Sequence, residues 1–171
     1  DALNILKRKK NIRLIDTTDL KSENLKNILT YFDSFLLQES DNKNLSVKNL
    51  KVVSKKKANK DTLKKLLFAF NVCRNVKSNA IVLSQDYKTI GIGSGQPSRI
   101  DSCEIAVDKM NKFQKITNNT NIFAASDAFF PFVDGIEKLV QAGVTAIIQP
   151  SGSLRDKEII KFANQTGIVL V

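Results

Sequence analysis

Histidine and tryptophan are absent from the 171 residues; methionine occurs once, cysteine twice and proline three times. Without histidine no His–Asp or His–Cys pair can be built, and the usual general base near neutral pH is missing. A metal site would have to use carboxylates or the two thiols, and no spacing of either supports one. Cys73 and Cys103 are too few for a disulfide framework. Both accompany apolar helical patterns and read as buried free thiols of a reducing compartment. No apolar run approaches the roughly eighteen residues of a membrane-spanning helix. The opening Asp1-Ala2-Leu3-Asn4 lacks a signal peptide's charged and apolar zones, and no methionine starts it. The chain is therefore expected to begin inside a longer protein or after processing.

What is present is enough for one domain with a proper core, and the 42% apolar fraction is ordinary for a globular protein. The formal charge of +10 is unevenly spread. Residues 1–77 carry 18 basic and 8 acidic groups, and residues 78–171 carry 9 of each. The surplus is lysine, 22 against 5 arginines, whereas arginine is the usual reader of base edges and bidentate phosphate. No helix-turn-helix, RNP or finger pattern is found, which argues against nucleic acid. Two readings of the lysines stand: a solvated face, or a funnel for phosphorylated or polyglutamylated small molecules.

Residues 1–10 read as a helix end with a basic tail. Asn11 to Ile15, Tyr31 to Leu37 and Leu50 to Ser54 read as strands, with a polar stretch at 16–30 and a turn at Asp41 to Asn44. From there the pattern sharpens. Leu63, Leu66, Leu67 and Phe70 recur at helical spacing and predict a helix over 61–73, with Asp61 near its start. Asn79 to Leu83 and Thr89 to Gly93 read as a hairpin turned at Asp86-Tyr87-Lys88. Helices are expected over 101–113, 135–141 and 153–164, the last capped by Ser153 with Asp156 three residues on. A loop at Asn118 to Asn121 and strands at 122–125, 144–148 and 168–171 complete the pattern. The fold class is α/β, a three-layer sandwich whose mixed, mostly parallel sheet has helices on both faces. The last apolar strand is expected to continue beyond Val171.

Four segments can carry chemistry. Gly91-x-Gly93-x-Gly95 lacks the G-x-G-x-x-G spacing of a dinucleotide site and reads as a sharp turn or a close backbone approach. Arg99 stands beside that turn, either as a clamp for a carboxylate or phosphate or as a plain surface cation. Ser126 to Gly135 places Phe129, Phe130, Pro131 and Phe132 between a strand end and a helix start, where open α/β sheets hold ligands. These are either an aromatic wall for a flat heteroaromatic ring or core aromatics, and Asp134 either meets ligand N–H groups or caps the helix. Gln149-Pro150-Ser151-Gly152-Ser153 repeats that geometry one unit later, as an anion-binding loop or an ordinary helix cap.

These segments carry a likeness. Val76 to Val82 resembles the "VKSNAIV" segment of the bifunctional purine-biosynthesis family that joins an AICAR formyltransferase to an IMP cyclohydrolase. Gly91 to Ser102 resembles its "GIGAGQxSRxDS", Ser126 to Phe132 its "SDAFFPF", and Ile148 to Asp156 its "IQPGGSxRD". The four occur in family order and span most of the chain. Val133 stands where the family often has Arg, and Ser151 where it has the first Gly of "GGS".

The resemblance implies a cytidine-deaminase-like fold, with 1–77 a basic α/β segment completing a preceding subdomain and 78–171 a C-terminal subdomain short of its last residues. It implies transfer of a formyl group from 10-formyltetrahydrofolate, a co-substrate, to the 5-amino group of AICAR ribonucleotide, with no metal needed. A cyclohydrolase domain, a lysine–histidine pair upstream and a phosphate-holding tail are expected outside the chain. Asn79 is then the catalytic asparagine, its amide donating to the formyl oxygen while its carbonyl accepts from the amine. Phe129, Pro131, Phe132 and Asp134 form the pterin-binding wall of the folate pocket, joined by Ser153 and Leu154, and Arg99 and Ile100 are supplied to that pocket across the dimer. The expected partners are AICAR, reduced folate and a second copy of the parent enzyme in a cytoplasmic homodimer, with neither nucleic acid nor membrane. The alternative is an inactive folate- or nucleotide-binding α/β module.

Overall fold

The structure is a computed structural model and describes residues 2–19, 26–41, 43–113 and 121–171. The chain divides into two units, Asp1–Asn44 and Leu45–Val171. The first contains a short helix α1 (Ala2–Leu6) and an antiparallel hairpin of β1 (Lys26–Tyr31) and β2 (Ser34–Glu39). Asn11 to Ile15 forms no strand, because the only ladder among this unit's described residues is β1–β2. The apolar run Tyr31 to Leu37 is not one strand either. A two-residue turn at Phe32-Asp33 cuts it, and Phe32 takes a φ of 49°. Such turns usually announce themselves by Asn-Gly or a glycine, and this one does not. Residues 20–25 of the polar stretch, and 118–120 of the expected loop, lie outside the described residues.

The second unit is built on a five-stranded sheet in the order β4-β3-β5-β6-β7. Its strands are β3 (Ile81–Gln85), β4 (Lys88–Gly93), β5 (Ile122–Ser126), β6 (Val144–Ile148) and β7 (Val169–Leu170). β3 pairs antiparallel with both β4 and β5, whereas β5–β6 and β6–β7 are parallel. The sheet is therefore mixed in equal measure rather than mostly parallel. The tight turn after β3 forces β4 to run back. The next helix then carries the chain across β3, so β5 enters on its far side, parallel to β4.

Among the described residues, four helices cover this sheet: α2 (Lys60–Cys73), α3 (Arg99–Phe113), α4 (Val133–Gln141) and α5 (Asp156–Thr166). Strand alternation sorts the core. Ala80, Val82, Phe123, Ala125 and Ile148 meet Leu66, Ala69 and Cys73 of α2 on one face. Ile81, Leu83, Ala124, Ile147 and Leu170 meet α3, α4 and α5 on the other. Residues 45–77, grouped by sequence with the N-terminal segment, thus belong to this unit through α2. Both cysteines are buried and free, and burial pushes each thiol up to about 12. Among the described residues, no helix is long and apolar enough to cross a membrane.

Local chemistry explains the remaining differences. Leu50 to Ser54 runs along β7 without becoming a strand. Val53 N and Ser54 N both donate to the Leu170 carbonyl, and the Ser54 hydroxyl, not a backbone carbonyl, accepts from Leu170 N at 2.9 Å. α2 is capped by Asn59, which accepts from Thr62 N, and Asp61 sits in its first turn. α5 begins at Asp156, not Ser153: the Asp156 carboxylate reaches back to accept from Gly152 N and Ser153 N.

Gly91 and Gly93 turn out to be packing residues. A Cβ on Gly91 would stand 2.1 Å from Ala106 O, and one on Gly93 1.9 Å from Ser102 O. Their absence lets α3 lie directly on β4. Gly93→Ala is therefore expected to destabilise the fold by at least about 1–3 kcal/mol, the usual cost of overpacking. Urea unfolding measures it, and an unchanged midpoint would contradict this role for the glycine.

Candidate functional site

The chain crossings bring one end of the sheet together with two helix starts. β3 and β5 are antiparallel with Ile81 opposite Ser126, so the entry of β3 lies beside the exit of β5. α3 starts at Arg99 and α4 at Val133 over the same end. Between them is a cavity of about 470 Å³. Asn79 and Pro97 to Ile100 form one side, and Ala128 to Phe132 with Asp134 and Gly135 form the other.

The polar side is a closed network. Arg99 is only 9% exposed and Asp127 14%. Arg99 Nη1 donates to Asp127 Oδ1 at 2.6 Å and to Ser126 Oγ at 2.8 Å, and Nη2 donates to Asn79 Oδ1 at 2.8 Å. Asp127 Oδ1 also accepts from Ala80 N at 2.9 Å, and its Oδ2 accepts from the Ser78 hydroxyl. The Ser126 hydroxyl donates to Ala128 O, which leaves its lone pairs toward Arg99. Burial raises the Asp127 pKa, but the hydrogen bonds from Arg99, Ser78 and Ala80 N outweigh it and hold the carboxyl below the ordinary aspartate value.

These partners fix the Asn79 amide. Its Oδ1 faces a guanidinium that can only donate, and its Nδ2 donates to the carbonyls of Gln96 at 2.8 Å and Pro97 at 3.1 Å. A flipped amide would set donor against donor. Nδ2 is turned to these two carbonyls, so the second lone pair of Oδ1 is what Asn79 presents to a ligand. The expected donation to a formyl oxygen would compete with these two carbonyls for the Nδ2 hydrogens. Arg99, read as a clamp for a ligand anion, is instead paired internally. The Asn79 backbone is held as well, its carbonyl accepting from the Ser102 hydroxyl at 2.8 Å.

The aromatic side divides its work. Phe130 is buried, and its ring lies where a Cβ on Gly135 would come within 2.9 Å, so the two residues require each other. Phe130 N donates to Gln149 Oε1, tying this loop to the end of β6. Phe129, 38% exposed, and Phe132, 50% exposed, line the cavity with Pro131. Asp134 Oδ1 accepts from Gly135 N, and its other carboxylate oxygen has no partner among the described residues. Ser153 and Leu154 are not in this lining: the Ser153 hydroxyl accepts from Arg155 N, and Leu154 is fully exposed. Their loop still reaches the rim, since the Arg155 guanidinium lies 4.7 Å from the Phe132 ring centroid. Asp127, Ser126 and Ser78, which complete this network, have no role assigned from the sequence, although they stand within the Val76 to Val82 and Ser126 to Phe132 segments. The available signal was an acidic residue at the exit of an apolar strand, opposite a scarce arginine.

The family model described as "AICARFT/IMPCHase bienzyme" matches residues 1–109. The chain is 39% identical over 171 residues to the bifunctional purine biosynthesis protein PurH of Staphylococcus carnosus (strain TM300), a match covering 100% of this chain and 34% of that protein. It is 41% identical over 179 residues to the PurH of Bartonella bacilliformis (strain ATCC 35685 / KC583 / Herrer 020/F12,63), covering 99% and 33%. With the PurH of Limosilactobacillus reuteri (strain DSM 20016) it shares 44% over 174 residues, covering 100% and 33%. The chain thus spans about a third of the length of the curated relatives it matches.

Asp127→Ala should cost about 3–5 kcal/mol near neutral pH, because it strands the buried charge of Arg99. The folded pKa of Asp127 is depressed, so its contribution is full above the ordinary value of 3.8 and is lost as pH falls through the folded value. The variant's deficit should therefore shrink in strong acid. Urea unfolding of both proteins across that range checks it, and a deficit independent of pH would contradict the electrostatic origin.

Proposed function

Since the chain belongs to the AICARFT/IMPCHase bienzyme family, we propose that it is part of the formyltransferase that moves a formyl group from 10-formyltetrahydrofolate to the 5-amino group of AICAR ribonucleotide. One observation carries the reading. Seven of the nine residues assigned from the motifs, namely Asn79, Arg99, Ile100, Phe129, Pro131, Phe132 and Asp134, surround one cavity. The finer expectations belong to the same proposal: a cytidine-deaminase-like fold, a cytoplasmic homodimer as the parent enzyme, and an IMP cyclohydrolase domain elsewhere in it.

The cavity's chemistry suits a pterin. Phe129, Pro131 and Phe132 offer apolar faces for a flat ring. The unpartnered Asp134 oxygen can accept from its polar N–H edge, a charge-assisted bond. Across the cavity, the free lone pair of Asn79 Oδ1 accepts one N–H of the AICAR amine. That bond turns the nitrogen lone pair toward the formyl carbon. In the transfer the amine nitrogen bonds to the formyl carbon and the bond from that carbon to the folate nitrogen breaks. The amine gives up a proton and the folate nitrogen gains one. Asn79 cannot take that proton, and the chain has no histidine to do so. On this reading the proton acceptor and the donor to the developing oxyanion lie in the rest of the parent enzyme, where the resemblance puts a lysine–histidine pair. On this reading the chain by itself holds folate and positions the amine without turning over.

The test uses the complete enzyme. Asp134→Ala should weaken a folate analogue by about 1.5–3 kcal/mol, the worth of a hydrogen bond to a charged group. Asn79→Ala should leave that affinity unchanged and lower turnover about a hundredfold through lost orientation. Folate titration and steady-state kinetics read the two separately. An Asp134→Ala enzyme that binds folate as tightly as its parent would overturn the pocket assignment.

A further inference from the structure

Arg99 presents a physical problem. It is the first residue of α3, where the helix dipole disfavours a cation, and it is 9% exposed. A buried guanidinium in that place points wherever its counter-charge draws it. The counter-charge is Asp127, which exits β5. Its carboxylate does more than neutralise. Oδ2 takes the hydroxyl of Ser78, the residue before Asn79, and Oδ1 takes the N–H of Ala80, the residue after it. The same Oδ1 takes Arg99 Nη1, and the other arm of that guanidinium holds Asn79 Oδ1. One carboxylate thus brackets Asn79 along the backbone and, through Arg99, fixes which way its amide faces.

We propose that Asp127 is the positioning residue of the cavity: it holds Asn79 with its N–H groups turned away, so that Asn79 meets its ligand as a hydrogen-bond acceptor. The inference rests on the proposed function only for the identity of the ligand N–H that Asn79 receives. The positioning itself is a property of this chain. Asp127 is absent from the cavity lining, and its side-chain hydrogen bonds go to Ser78, Ala80 N and Arg99, so its effect on a ligand passes through Asn79 and Arg99.

The readout is the Asn79 side-chain amide, followed by nitrogen-15 NMR relaxation in the whole 171-residue chain. Asp127→Asn keeps the shape of the carboxylate and removes its charge. In the parent the amide should be as rigid as ordered backbone, with an order parameter of about 0.85, and in Asp127→Asn it should fall below about 0.6. A general loss of stability must not do the same. Ile136→Val, which trims the α4 core, is the control and should leave the Asn79 amide rigid. Ser78→Ala removes one hydroxyl from the carboxylate and stands in if Asp127→Asn does not fold; it should give a partial fall. An amide as rigid in the carboxylate variants as in the parent would overturn the proposal, and so would equal loosening in Ile136→Val. None of these outcomes depends on folate or AICAR, so failure here is distinct from failure of the formyltransferase reading.

Discussion

A guanidinium with little access to water must be matched by a charge and by acceptors for its fork of N–H groups, and the Arg99–Asp127 pair meets that requirement at the point where three segments converge. Asp127 comes from the exit of β5, Arg99 from the first turn of α3, and the bracketed residues 78–80 from the entry to β3. None of these segments can move relative to the others without breaking a bond to one of the two charges. The glycines of β4 bring α3 close enough for Arg99 to reach across, since any side chain at Gly91 or Gly93 would lift the helix away. The packing of the sheet and the geometry of the cavity's polar side are in this sense one constraint.

The aromatic side is set by packing rather than charge. Phe130 is driven into the core against Gly135, and burying it leaves its neighbours Phe129 and Phe132 on the cavity side. The Gln149 side chain and the stack of Arg155 on Phe132 tie this loop to the next one along the sheet. The cavity therefore has a rigid polar side that presents an acceptor and an apolar side that presents ring faces. On the proposed reading, the polar side orients a nucleophilic amine and the apolar side holds the group that carries the formyl.

Much of this was legible in the sequence where local pattern and tertiary demand agree. The apolar spacing of α2, the hairpin of β3 and β4, and the short strands β5 and β6 all stand near where periodicity put them. The Phe129 to Asp134 stretch could be read as a wall because it combines aromatics, a proline and a helix start. What could not be read was pairing at a distance. A partner 28 residues away in sequence decides whether Arg99 faces a ligand or Asp127. Nor does composition say that the Asn79 Nδ2 is turned to the carbonyls of Gln96 and Pro97. The Phe32-Asp33 turn was hidden because its positive φ falls on Phe32, a bulky residue that rarely adopts one. Ser54 was hidden because a hydroxyl took the place of a ladder carbonyl.

On the proposed function, the cavity between Asn79 and Asp134 receives the folate. Titration of the chain with a non-transferring folate analogue, followed by its amide chemical-shift changes, checks this. Shifts are expected to concentrate at residues 98–100 and at residues 128–135 other than Pro131, the two sides of the cavity. Shifts concentrated instead at the lysine-lined cleft of Lys55, Lys157 and Lys161 would contradict it, as would saturating analogue with no shifts at all.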